Sequence, residues 1–136
     1  MIVVDTAPIV ALLNDRDDHH TRCRDFLANH PGPLLLPTTV FTEVCMLAER
    51  RRGTRAELAF LADVRAGLFT LLDTASADLD RIADLVGTYA DLPLGTVDAS
   101  VIALAERLNL PAVATLDHRH FSIVRPRHVP ALDLLP

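Results

Sequence analysis

An α/β fold, with a mostly parallel central sheet of four or five strands and helices on both of its faces, is predicted by three features of this sequence. Four short apolar runs do not alternate with polar residues: Ile2-Val3-Val4, Leu34-Leu35-Leu36, Leu68-Phe69-Thr70-Leu71-Leu72 and Ala112-Val113-Ala114-Thr115-Leu116. Such runs read as strands buried on both faces. Segments of helical periodicity separate them along the chain. The length of 136 residues suits one domain with one core, taken here as residues 1–136, and no repeat, linker or low-complexity tract interrupts it.

Each element follows in order. Ile2-Val3-Val4 ends at Asp5-Thr6, and a first short helix is expected from about Pro8 to Leu13, with proline tolerated in the first turn. After the polar loop Asn14 to Asp18, a helix from about Asp18 to Ala28 runs until Asn29-His30-Pro31-Gly32-Pro33 stops it. Beyond the second strand, Thr38 or Thr39 can cap a helix to about Arg52 that Gly53 closes. Thr54 can cap the next, to about Ala66, with Gly67 at its end. Leu79, Ile82, Ala83, Val86 and Tyr89 recur at helical spacing in a long helix from about Ser76 to Tyr89. Asp91-Leu92-Pro93-Leu94-Gly95 is a loop, and Thr96 or Val97 opens a helix to about Leu108, followed by Asn109 and Pro111. Val129 to Leu134 is the candidate fifth strand.

Composition excludes several classes. No apolar block approaches the roughly 18 residues of a membrane span. The N-terminus reaches Asp5 without a basic region and reads as the first strand of a soluble, cytoplasmic domain, not as a signal peptide. Cys23 and Cys45 have no metal or redox spacing and are expected as two buried thiols. The chain carries 13 basic and 18 acidic residues, and every basic one is arginine. A net charge of −5 is unusual for a nucleic-acid binder.

The acids locate the chemistry. In open parallel sheets, ligands bind beyond the carboxyl ends of the strands. Asp5 and Asp117 stand at two such ends, although each taken singly also reads as a helix cap or turn residue. Glu43 interrupts the apolar stripe Val40, Val44 and Leu47, where a carboxylate is costly unless paired, protonated or bound to metal. Asp98 precedes Val101, Ile102, Ala105 and Leu108 on one helical face, in a first turn that favours negative charge. If the four converge they need compensation. Lysine is absent, and hard divalent cations such as Mg²⁺ or Mn²⁺ suit carboxylate oxygens best. A carboxylate-held divalent ion is the usual equipment for phosphodiester hydrolysis.

Val3-Val4-Asp5-Thr6, Thr42-Glu43-Val44, Asp91-Leu92-Pro93-Leu94-Gly95-Thr96-Val97-Asp98-Ala99 and Thr115-Leu116-Asp117-His118-Arg119-His120-Phe121, in that order, resemble the PIN-domain ribonucleases and, within them, the VapC toxins of bacterial toxin–antitoxin pairs. The resemblance runs through nearly the whole chain. It implies a single PIN-like domain, dependence on Mg²⁺ with Mn²⁺ able to substitute, cleavage of RNA in a tRNA or rRNA loop, a homodimer, and inhibition by a cognate VapB-type antitoxin. It makes Asp5, Glu43, Asp98 and Asp117 the catalytic and metal-binding acids. Thr6 and Thr115 would set hydroxyls near the ion, Asp91 would add a peripheral acid, and Phe121 would pack in the core.

Setting those four acids aside leaves 14 against 13 arginines, a nearly neutral remainder. Arg119 is the arginine expected nearest substrate phosphate, while Arg50-Arg51-Arg52 is read as a solvated helix end. The six histidines form no zinc motif and are read as surface-loop residues outside the mechanism. With one Tyr, five Phe and no Trp, arginine planes and backbone shape would read the RNA more than aromatic stacking would. A receiver-like module would need a lysine, and a D-x-D phosphatase would need an acid where Ala7 stands. The alternative left is a catalytically inactive PIN-like module that binds RNA or protein.

Overall fold

The structure, a computed structural model, describes residues Met1–Pro136. Its elements are β1 (Ile2–Val4), α1 (Thr6–Leu12), α2 (His20–Asn29), β2 (Leu34–Pro37), α3 (Thr38–Arg52), α4 (Thr54–Arg65), β3 (Thr70–Leu72), α5 (Ser76–Thr88), α6 (Thr96–Arg107), β4 (Ala112–Ala114), α7 (His118–Ile123) and β5 (Asp133–Leu135). No helix is long and apolar enough to cross a membrane.

The five strands form one sheet in the order β3-β2-β1-β4-β5. Every pairing is parallel, with Val3 opposite Leu35 on one side and Val113 on the other. The sheet is thus wholly parallel. Right-handed crossovers put α1 to α4 on one face and α5 and α6 on the other. From β1 the chain winds outward to β3, then returns across the sheet to β4. That reversal places a topological switch point between β1 and β4, where the loops at the carboxyl ends diverge and leave a crevice.

The core explains why the strands carry no polar alternation. Ile2, Val3 and Val4 are fully buried, with Leu36, Val113 and Ala114 beside them and Val40 and Val44 of α3 packed above. Helix α6 buries every residue from Ala99 to Ala105. Its small side chains let it lie close against β1, β2 and β4 while α5 covers it elsewhere and α3 touches it through Thr39 and Ser100. Phe121 is buried in the same core. Cys23 is buried, whereas Cys45 is half-exposed on α3, because its position falls beside and not on the face formed by Val40, Val44 and Ala48.

Several local expectations are corrected. Helix α1 begins two residues before Pro8, whose missing N–H falls among the unpaired donors of the first turn. Neither Thr38 nor Thr54 caps its helix; each is the first helical residue, after Pro37 and Gly53. Gly53, at φ 86, both ends α3 and starts α4, a backbone conformation that favours glycine. Thr39 instead donates its hydroxyl to Ser100 Oγ at 2.6 Å, and Ser100 donates to the Val97 carbonyl, which ties α3 to the start of α6. Strand β3 starts late because the turn at Gly67, φ 86, delivers Leu68 to solvent first. Strand β5 starts at Asp133, four residues later than expected, where its amide reaches the Pro111 carbonyl.

Two ion pairs lock α5 to α6. Arg81 donates to both Glu106 oxygens at 2.8 Å, and Arg107 Nε donates to Asp78 Oδ1 at 2.9 Å. Asp78 is buried and also accepts from the Ala75 amide at 2.8 Å, so it closes the first turn of α5. Asp78→Ala therefore removes the acceptor of the Ala75 amide and the ion-pair partner of Arg107. Urea denaturation should show a loss of about 2 kcal/mol.

Candidate active site

The four acids come from four elements and line one cleft of about 280 Å³ at the switch point. Asp5 follows β1 and occupies the N-cap position of α1. Asp117 follows the β4 segment and caps α7, its Oδ1 accepting from the His120 amide at 2.9 Å. Asp98 sits in the first turn of α6, where the aligned helix amides favour a negative charge. Glu43 is half-buried on α3. It does not share the core stripe, which is Val40, Val44 and Ala48. Glu43, Leu47 and Arg51, spaced by four, form the adjacent stripe and face the cleft.

Thr115 knits two of the acids together. Buried at the end of β4, it donates Oγ1–H to Asp5 Oδ2 at 2.8 Å and accepts the Asp117 amide at 3.0 Å. Thr6 lines the cleft, and its buried Oγ1 has no partner within the protein. An orphaned buried hydroxyl beside carboxylates fits a site built for a further ligand.

The electrostatics are those of crowded, desolvated acids. Burial pushes the Asp5 carboxyl from 3.8 up to about 6, against the pull of the Thr115 and Thr6 hydrogen bonds; repulsion from Asp98 and Glu43 adds to the rise. Burial also raises Asp98, a hydrogen bond from His120 opposes it, and Asp117 and Glu43 add repulsion. Such a cluster can hold a hard divalent cation, whose charge would reverse both shifts.

Three features of the site escaped sequence reasoning. His120 is not a loop residue outside the site. Its Nδ1 lies 2.9 Å from Asp117 Oδ2 and 3.3 Å from Asp98 Oδ2. Asp117 and His120 share a face only once residues 118–123 are helical, so the signal was an i, i+3 pair in a helix not anticipated. Asp17 adds a fifth carboxylate to the lining; it comes from an irregular loop with no pattern to mark it. Arg51 also lines the cleft, so at least this member of Arg50-Arg51-Arg52 is more than a solvated helix end. Asp91 and Arg119 are exposed and do not line it.

Comparison with known proteins agrees with this fold. The family model for the PIN domain matches residues 2–125. Ribonuclease VapC26 of Mycobacterium tuberculosis is 30% identical over 125 residues, which span 92% of this chain and 93% of that protein. Among solved structures, VapC20 of Mycobacterium tuberculosis, a Sarcin-Ricin loop cleaving toxin, superposes with a TM-score of 0.80 at 22% identity, over 88% of this chain and 92% of that one. The VapBC2 structure from Rickettsia felis, bound to a promoter DNA fragment, gives a TM-score of 0.68 at 17% identity, over 98% and 97% of the two chains.

Proposed function

The chain belongs to the PIN-domain family, and from that premise we propose that it is a divalent-metal-dependent endoribonuclease, the toxin of a toxin–antitoxin pair, with Asp5, Glu43, Asp98 and Asp117 as its catalytic acids. The observation that carries the reading is the convergence of these four carboxylates, from four separate elements, on one cleft at the switch point of the sheet.

Asp5, Asp98 and Asp117 are the residues that would hold Mg²⁺ or Mn²⁺, with Glu43 on the same ion or a second one. The orphaned Thr6 hydroxyl and the carboxylate donor set both fit such an ion. When bound, a divalent cation supplies an activated water and neutralises charge at the departing 3′-oxygen. The protein's own part is placement. Thr115 fixes the rotamer of Asp5, the α7 cap fixes Asp117, and α6 carries Asp98 to the cleft in its first turn.

Arg51 offers a planar cation at the cleft wall to a substrate phosphate. Arg51→Ala should raise KM for RNA about tenfold, equivalent to about 1.4 kcal/mol. It should also flatten the salt dependence by about one phosphate contact. Mn²⁺ affinity, measured by calorimetry, should stay unchanged. A KM equal to that of the wild type would assign the phosphate contact elsewhere, with Arg119 the next candidate.

The same reading supplies a VapB-type antitoxin as partner, a homodimeric state, and a structured RNA loop of tRNA or rRNA as substrate. The resemblance of VapC20, a Sarcin-Ricin loop cleaving toxin, supports the substrate class. The VapBC complex from Rickettsia felis supports the partner class. The test is incubation of antitoxin-free protein with total bacterial RNA in Mg²⁺, in Mn²⁺ and in excess EDTA. Discrete fragments that disappear with EDTA are expected. Intact RNA in every lane, from folded protein, would favour the non-catalytic module.

A further inference from the structure

His120 stands apart from the other five histidines because its ring nitrogen points at two of the proposed metal-site acids. Asp117 places it twice over. The Asp117 Oδ1 accepts the His120 amide, and Asp117 Oδ2 lies 2.9 Å from His120 Nδ1. Asp98 Oδ2 lies 3.3 Å from the same nitrogen. Phe121, buried in the core, anchors the short helix that carries it. The imidazole is half-buried.

One donor atom each from Asp98, Asp117 and His120 lies within 4.8 Å of the other two. Around a six-coordinate ion bonded at about 2.1 Å, adjacent donors stand about 3.0 Å apart and opposite donors about 4.2 Å. The two His120 contacts therefore have the lengths of coordination edges as well as of hydrogen bonds. Thr6 supplies an independent sign of a missing ligand through its buried and unpartnered hydroxyl, in the cleft that Asp98 and Asp117 line and that His120 adjoins through its contacts with those two acids. The contacts of His120 Nδ1 are with these two acids, so an ion bound there displaces only hydrogen bonds to its own carboxylate ligands.

We propose that His120 is a nitrogen ligand of the divalent ion held by Asp98 and Asp117, and that it makes the site selective for a first-row transition ion such as Mn²⁺ over Mg²⁺. This rests on the nuclease reading of the site. The chemistry follows from donor type. Mg²⁺ favours oxygen and retains its water, whereas imidazole nitrogen suits transition ions. In the metal-free protein Nδ1–H donates to the two carboxylates. On binding, the ion takes the lone pair of Nδ1 and the ring carries a single proton, on Nε2: a neutral ring moves its Nδ1 proton there through solvent, and an imidazolium releases its second proton to solvent. Asp98 and Asp117 lose one hydrogen bond each and gain a shared cation.

The experiment uses the full chain with Mn²⁺ as probe. Pulsed electron spin resonance of the Mn²⁺ complex should show nitrogen coupling, and ¹⁵N-histidine labelling of the wild-type protein should change that coupling in the expected isotope pattern. His120→Gln should remove it while Mn²⁺ still binds. In calorimetric competition, the preference for Mn²⁺ over Mg²⁺ should fall by about tenfold in the variant. Bound Mn²⁺ without nitrogen coupling in the labelled wild type would overturn the proposal and leave His120 as a hydrogen-bonding neighbour, with the carboxylate site standing. Failure of the wild type to bind Mn²⁺ would overturn both this proposal and the metal-dependent reading. The labelled wild type decides the matter even where His120→Gln does not fold.

Discussion

Asp98→Asn lowers the rate of RNA cleavage by about 10³-fold and leaves the fold intact. The size of the loss follows from what the carboxylate does. In the proposed mechanism it is one of a small set of fixed charges around the reacting phosphate, and removing a single preorganised electrostatic group costs about 10²–10³ in rate, with the weakening of the ion added. The fold survives because Asp98 is a burden to the metal-free protein. Burial and the neighbouring Asp117 and Glu43 carboxylates raise its pKa, with only His120 opposing them. Asparagine keeps the shape and can still accept from His120. Single-turnover cleavage and a thermal melt on the same sample check both halves. Activity within tenfold of the wild type would remove Asp98 from the site.

Asp5→Asn stabilises the metal-free protein at neutral pH, and the effect vanishes in acid. In the fold Asp5 titrates near 6, against an ordinary value of 3.8. A proton on Asp5 therefore favours the native state. Its contribution is fully present below about pH 3.8 and is lost as pH rises toward about 6. That separation is worth up to about 3 kcal/mol above pH 6. Urea unfolding in EDTA, at pH 4 and at pH 7.5, should show the variant gaining on the wild type only at the higher pH. Other acids titrate in the same window, so the difference between the two proteins is the quantity to read. Saturating Mn²⁺ should reverse the order, since an ion that binds only the native wild type adds stability with its concentration. Equal stabilities at both pH values would mean that Asp5 is neither desolvated nor crowded as the structure places it.

Much of this architecture was legible because strands buried on both faces cannot alternate with polar residues. Ile2-Val3-Val4 and Leu34-Leu35-Leu36 announce a parallel sheet for that reason. The strand-end rule then singles out Asp5 and Asp117 without any knowledge of topology. Glu43 was visible as a charge among apolar positions, although the stripe it occupies turned out to be the neighbouring one with Leu47 and Arg51. What stayed hidden has a common cause. Helix α7 spans six residues, too short for a periodicity, and exists because Asp117 caps it and Phe121 is buried. Without that helix, His120 could not be paired with Asp117, and Arg119 could be imagined facing phosphate. Asp17 reaches the cleft from an irregular loop, whose path depends on long-range packing that no local pattern encodes.

The central claim is that carboxylate-held divalent ions drive hydrolysis by water, with the 3′-oxygen departing. End-group analysis of the RNA fragments tests it most directly, because the two chemical routes leave different ends. Attack by water predicts fragments with 5′-phosphate and 3′-hydroxyl ends, formed only with Mg²⁺ or Mn²⁺ and not by Asp98→Asn. Fragments bearing 2′,3′-cyclic phosphate and 5′-hydroxyl ends, or any cleavage that survives excess EDTA, would contradict the account.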